Sequence, residues 1–156
     1  MSFRYIEFIR AGFGAALLIA PRAVLARVHG VRIDRRVLVV SRILGARHIV
    51  QASLSGANPT PEILAAGVWV DTVHSLTALG LALADRRRAR AGVADAVVAA
   101  LWAGLGTYDL RTGKIPPDDH ARGRNRLAGT VIGALPGGRI VMDQARKARA
   151  HGPADQ

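Results

Sequence analysis

The sequence predicts an all-α protein: a bundle of four short apolar helices, embedded in a membrane, followed by a short basic helical tail. Apolar residues recur at helical spacing, and no segment shows sustained strand-like alternation. No Asn-Gly or Asp-Gly pair lies between β-branched runs, so no β-hairpin is indicated. Half of the chain is hydrophobic although only 4% is aromatic, so Ala, Val, Leu and Ile must form the packing surfaces. We place the bundle in residues 1–108 and the tail in residues 109–156.

Charged or turn-forming sequences separate the four apolar segments. In chain order the segments are Phe3–Val28, Val37–Ser55, Glu62–Ala84 and Gly92–Leu105. The first is expected to kink or break at Pro21, because proline lacks the N–H group that an interior helical position donates. The linker GANPTP (56–61) is a strong turn signal, and Pro61 suits the first turn of the next helix.

The tail is polar and basic. A loop is expected around Pro116–Asp118, followed by a short apolar stretch over Leu127–Leu135. A last, charged helix is expected over Arg139–Ala150, and the final residues HGPADQ should fray.

The composition limits the chemistry. Twenty-two basic residues against eleven acidic give a net charge of +11, and only Lys114 and Lys147 among the basic residues are lysine. Together with the many Ala and Gly residues, this bias indicates GC-rich coding, so single arginines are weak evidence for phosphate binding. The absence of cysteine excludes disulfides and thiolate metal sites. The start imitates a signal peptide, but the apolar pattern resumes beyond Pro21, so a retained helix is expected.

Length and charge favour a membrane over water. A spanning helix needs about 20 mostly apolar residues, and by that measure only the third segment is secure. The second segment carries central arginines, each costing roughly 2.5–3.5 kcal/mol on insertion, and the first and fourth segments are short. However, Val93–Leu105 contains only one charge, Asp95, and therefore lacks the polar face of a soluble surface helix. A soluble bundle is the alternative.

The turns between the apolar segments differ in their arginine content. The turns at 29–36 and 85–91 are basic, whereas the 56–61 linker has no Lys or Arg. If all four segments span the membrane, both basic turns lie on the same side of it. The positive-inside rule predicts that this is the cytoplasmic side of a bacterial cytoplasmic membrane. The basic tail would then lie outside, unless the fourth segment only dips into the bilayer. Arg86, Arg87, Arg88 and Arg90 are expected to be basic residues at the membrane surface. A topology signal or a solvated turn is favoured over binding of phosphates or anionic lipid headgroups as their role.

Five polar residues lie within the two most apolar segments: Arg42, Arg47, His48, Asp71 and His74. An antiparallel hairpin at GANPTP would place Arg47 level with Asp71, and Arg42 close to His74. We therefore expect a buried Arg47–Asp71 pair that fixes helix register, so that neutralising one partner destabilises the fold and swapping both restores it. The alternative is a ligand or proton site, with Asp71 and His74 as an acid–base couple.

Cofactor, metal and nucleic-acid signals are weak. His48, Asp71 and His74 could offer two imidazoles and a carboxylate, but an i, i+3 pair is common by chance, and we expect no metal or cofactor. The net charge alone would suit nucleic acid, yet aromatic residues are few and no helix-turn-helix pattern is present. Nucleic-acid binding is therefore disfavoured, and a soluble basic nucleic-acid-binding protein is only the third hypothesis.

The pattern R-x-x-G-x-R (42–47), a proline turn and D-x-x-H (71–74) resembles small uncharacterised four-helix membrane proteins of actinobacteria. The resemblance covers residues 5–108 and implies a four-helix membrane fold without implying an activity. The leading hypothesis is a non-enzymatic subunit or accessory of a larger membrane complex, or a lipid binder, with membrane lipid and a second copy among its partners. The second is a membrane enzyme or proton-coupled carrier using the polar residues of the two helices.

Overall fold

The computed structural model describes residues 5–27, 33–56, 59–112 and 122–150. Within these residues the chain forms helices and no strand, which confirms the all-α prediction. The prediction was four helices followed by a helical tail, whereas the described residues contain seven helices. These are α1 (Tyr5–Ile19), α2 (Pro21–Leu25), α3 (Arg35–Ser55), α4 (Pro61–Ala84), α5 (Ala89–Thr112), α6 (Arg122–Gly133) and α7 (Gly138–Ala150).

The first predicted segment breaks at Pro21, as expected. The Ala20 amide still donates to the Ala16 carbonyl oxygen at 2.9 Å, so the chain turns helically up to the break. Pro21 then begins α2, where its missing N–H group leaves no hydrogen bond unmade. The predicted basic turn 29–36 is described only from residue 33 onward, so His29 lies outside the described residues.

Local capping fixes the ends of α3 and the start of α4. The Asp34 carboxylate accepts a hydrogen bond from the Val37 amide at 2.8 Å, which satisfies one of the free N–H groups of the first turn of α3. Gly56 ends α3 with φ +62°, a left-handed conformation that favours glycine. Helix α4 begins at Pro61, as predicted, and linker residues 57–58 lie outside the description.

The fourth predicted segment was too short. Helix α5 has 24 residues and continues past Leu105 to Thr112. Beyond the predicted end at Leu105, Thr107 turns its hydroxyl back onto the Ala103 carbonyl oxygen at 2.8 Å, so its polar group is satisfied within the helix. Leu110 is then buried, which gives the final turns an apolar anchor.

The tail contains two helices. The predicted apolar stretch is part of α6, which starts at Arg122, and the last predicted helix is α7 with one residue added at its start. Gly137, with φ +75°, lies between them. The predicted loop around Pro116–Asp118 and the HGPADQ terminus lie outside the described residues.

The chain divides into two compact units. Unit 1 comprises the described residues 59–74, 99–112 and 122–150, and unit 2 comprises 5–27, 33–56 and 75–98. The predicted boundary at residue 108 falls inside α5, in unit 1. The core of unit 1 joins the start of α4, the end of α5 and the faces of α6 and α7, through Leu64, Ala65, Val68, Leu110, Ile132, Met142, Ala145 and Ala148.

Among the described residues, three helices are long and apolar enough to cross a membrane: α3, α4 and α5. The expectation that only the third segment meets this criterion was therefore wrong. Helix α5 qualifies because its additional turns bring it to 24 residues. Helix α3 qualifies because an 18-residue stretch beyond its first two arginines is sufficiently apolar although it contains Arg42 and Arg47.

Candidate functional site

Helices α1 and α3 of unit 2 approach each other closely at two glycines. A Cβ atom on Gly14 would lie 2.7 Å from the Gly45 carbonyl oxygen, and a Cβ atom on Gly45 would lie 2.6 Å from that of Gly14. Gly14 is also close to His48, whereas Gly45 is close to Leu17, so the two helices run antiparallel. Only glycine at both positions allows the backbones to come this near.

The same faces of α1 and α3 bury polar groups. On α1, Arg10 lies four residues before Gly14 and Glu7 lies three residues before Arg10, and both side chains are buried. The Arg10 Nε and Glu7 Oε2 atoms lie 3.8 Å apart, a buried ion pair. On α3, the His48 ring meets the Phe13 ring edge-on with centroids 5.5 Å apart. Sequence reasoning missed Glu7 and Arg10, although an E-x-x-R spacing on an apolar helix was available as a signal.

The structure separates the five predicted cluster residues by burial. Asp71 is completely buried and His48 is 1% exposed, whereas Arg47 and His74 are half-buried. Arg42 is exposed and does not share the burial of Asp71 and His48. A helix turns by about 100° per residue, which carries Arg42 off the buried face that its neighbour Ser41 occupies.

These residues divide between the two units. Arg42, Arg47 and His48 belong to unit 2, and Asp71 and His74 belong to unit 1. The Arg47–Asp71 pair and the proximity of Arg42 to His74 remain predictions. Within the described part of the chain, no group of three or more His, Asp or Glu residues is arranged to hold a metal ion.

The basic turn before α5 is tied to the start of α3, and both lie in unit 2. The Arg88 guanidinium donates to the Asp34 carboxylate at 3.2 Å and to the Asp85 carboxylate at 2.9 Å. Asp85 also accepts a hydrogen bond from the Arg87 amide at 3.0 Å. The predicted surface residues Arg86, Arg87 and Arg90 are exposed.

These contacts shift the pKa values of Asp34 and Arg88. The pKa of Asp34 lies below its ordinary value because the Val37 amide, and next the Arg88 guanidinium, stabilise the carboxylate. The pKa of Arg88 is raised by the hydrogen bond to Asp34 and by the charge of that carboxylate.

The ion pair between Asp34 and Arg88 should make the stability of the fold depend on pH in the acid range. Because the folded-state pKa of Asp34 is depressed, its contribution is present above the ordinary value of 3.8 and is lost as the pH falls through the lowered pKa. We expect Asp34→Asn to unfold at a lower temperature than the wild type near neutral pH, and the difference to vanish in acid. Thermal unfolding of both proteins across a pH series in detergent would measure this. A difference that stays constant down to the most acidic condition would contradict it.

In unit 1, polar contacts dock α6 and α7 along the first part of α4. At one end Thr60 donates to Asn125 at 2.6 Å, and Arg149 donates twice to the Glu62 carboxylate, at 2.9 and 2.8 Å. At the other end the Trp69 indole donates to the Pro136 carbonyl oxygen at 3.0 Å. Helix α6 therefore runs parallel to α4 and α7 runs back, so residues 122–150 form a helical hairpin packed on α4.

No protein-family model, curated protein or solved structure matches this chain. Its function must therefore be inferred from its own pattern of burial, charge and packing.

Proposed function

We propose that this chain is a small integral membrane protein of a bacterial cytoplasmic membrane, acting as a non-enzymatic subunit or accessory of a larger complex, or as a lipid binder. One observation carries the proposal. In unit 2 the buried faces of α3, α4 and α5 carry mainly small or polar residues, whereas the outward faces of these helices carry large apolar ones.

Helix α3 illustrates this distribution. Its buried face consists of Val37, Ser41, Gly45, His48, Ala52 and Ser55. Five of its large aliphatic residues are exposed instead, and Val40 at 54%, Ile43 at 62% and Val50 at 57% are the most exposed of them. In water this arrangement would forfeit about 25 cal/mol for every Å² of apolar surface left exposed. In lipid it carries no such cost, and small or polar residues are those that join membrane helices.

The parts of α4 and α5 in unit 2 follow the same pattern, with Ala78, Ala82 and Ala96 buried, whereas the parts in unit 1 also bury large apolar residues. Between 22% and 28% of the most apolar window of each of the three candidate spans is buried by the rest of the protein. Large aliphatic residues of both helices are exposed, among them Leu76, Leu81, Leu83, Val97 and Leu101. A lipid environment would cover these side chains without a further protein partner.

The four-helix arrangement follows if α1 and α2 together form a kinked fourth apolar segment beside α3. The resemblance to four-helix membrane proteins of actinobacteria is consistent with that arrangement. A non-enzymatic role is favoured because the ionisable groups Glu7, Arg10 and His48 lie on the packed helix faces. Buried ion pairs in such positions specify which faces meet.

A membrane enzyme or proton-coupled carrier is the second candidate, favoured by the complete burial of Asp71. An ionisable residue inside a membrane is costly and therefore often functional. Proton uptake by reconstituted vesicles, abolished by Asp71→Asn, would favour this candidate. Vesicles without uptake whose protein is destabilised by the same substitution would favour the structural role.

Membrane fractionation tests the leading proposal. Retention of the expressed protein after alkaline carbonate washing, followed by release in detergent, is the expected result. Recovery in the soluble fraction would overturn the proposal and direct attention to the exposed arginines. In that case binding to nucleic acid with a steep dependence on salt would support the soluble alternative.

A further inference from the structure

One end of unit 2 gathers two groups of arginines. The Arg88–Asp34 contact brings the turn that precedes α5 against the residues that begin α3. Arg35 and Arg36 follow Asp34 directly, and all members of both groups are exposed. The arginine surface therefore comprises Arg35, Arg36, Arg86, Arg87, Arg88 and Arg90, with Asp34 and Asp85 as the acidic residues that hold Arg88 in place.

We propose that the arginine surface binds the headgroups of anionic phospholipids. The inference rests on the proposed membrane location and adds the lipid class that the protein selects. Guanidinium groups donate paired hydrogen bonds that match the oxygens of a phosphate. Arg88 is already shared between two carboxylates, which leaves the remaining arginines to face the headgroups.

The surroundings of this surface favour a lipid over a soluble phosphate compound. Exposed Leu81 and Leu83 lie just before the basic turn, and exposed Val93 lies shortly after it. Val39 is exposed one turn beyond Arg35. Charge and apolar surface thus adjoin along the chain, as a headgroup and its acyl chains require. A soluble anion would gain nothing from the apolar part.

The charged face of α7 in unit 1 provides a matched comparison. Arg139 and Arg146 are both exposed, and Arg146 is paired with Asp143 on its own helix. On α7 itself, exposed Ile140 is the large aliphatic residue beside these charges. Removing Arg139 and Arg146 changes the net charge as much as removing Arg86 and Arg87, but leaves the arginine surface intact.

The experiment measures the preference of the reconstituted protein for phosphatidylglycerol over phosphatidylcholine. The protein is placed in phosphatidylcholine bilayers, and the fraction of each spin-labelled lipid held at its surface is read by electron paramagnetic resonance. One arginine near an anionic surface contributes about fivefold. Arg86→Gln with Arg87→Gln should therefore lower the preference at least about fivefold, whereas Arg139→Gln with Arg146→Gln should change it less than about twofold.

The Asp34→Asn variant distinguishes lipid binding by the arginine surface from attraction of anionic lipid by net charge alone. Asparagine caps a helix as well as aspartate does, so α3 keeps its start, but its amide cannot form the ion pair with Arg88. The substitution makes the protein more positive, so attraction by net charge alone would raise the preference for phosphatidylglycerol. We expect a several-fold fall instead, because the two arginine groups lose the contact that joins them.

Each other result overturns the inference. Equal losses from the two double substitutions would indicate general electrostatics, as would a rise in Asp34→Asn. Suppression of the preference by inorganic phosphate, beyond sodium chloride at equal ionic strength, would indicate a soluble anion as the ligand. Incorporation into phosphatidylcholine without any preference would overturn this inference alone, whereas failure of the wild type to incorporate would overturn the membrane proposal together with it.

Discussion

Gly14→Ala should cost about 2–3 kcal/mol of unfolding free energy, because the added methyl group has no room between α1 and α3. Its Cβ atom would lie 2.7 Å from the Gly45 carbonyl oxygen and 2.9 Å from the His48 Cβ atom. Both distances are shorter than van der Waals contact, and the first involves backbone that no side-chain rotation can move. The helices must separate, and overpacking of this kind typically costs 1–3 kcal/mol.

Gly12→Ala is the matched control on the same helix. A Cβ atom there would meet nothing within 4 Å. Because alanine favours helix over glycine by up to about 1 kcal/mol, this variant should be as stable as the wild type or slightly more stable. Unfolding by sodium dodecyl sulfate in mixed micelles, followed by circular dichroism, would compare the three proteins. Equal stability of Gly12→Ala and Gly14→Ala would mean that α1 and α3 do not pack through these glycines.

Much of the helical architecture follows from local sequence signals. Pro21 breaks the first segment because it lacks an amide hydrogen, and Pro61 begins α4 for the same reason. The end of α5 could not be read in this way. Thr107 and Asp109 are polar, and only the burial of Leu110 in the core of unit 1 explains why the helix continues. That burial depends on α6 and α7, which are distant in sequence.

The candidate sites show the same division between local and tertiary information. Asp71 and His48 could be singled out because a polar residue within an apolar run is visible in one dimension. The exposure of Arg42 depends on which face of α3 packs, and Gly45 determines that face by meeting Gly14. The contact between Asp34 and Arg88 spans 54 residues of sequence, so turn composition indicated the basic turn but not its attachment to α3.

Replacing either Glu7 or Arg10 alone should lower the unfolding free energy more than replacing both residues together. Both side chains are almost wholly enclosed, with exposed fractions of 5% and 6%. Glu7→Leu leaves a buried guanidinium and Arg10→Leu leaves a buried carboxylate, and each should lower the unfolding free energy by about 3–5 kcal/mol. The double variant removes both charges of the pair together, so it should be less destabilised than either single variant.

A double-mutant cycle in mixed micelles at neutral pH measures this coupling. Arg22→Leu, at an exposed position of α2, controls for the loss of one positive charge and should change stability by less than about 0.5 kcal/mol. If the two single losses simply add in the double variant, the two residues do not form an interacting pair. If they compensate, the two residues form an ion pair on the buried face of α1 that apolar residues can replace. The contribution of Glu7 and Arg10 to stability then comes from their interaction as a pair, and an apolar contact between the same positions can supply it.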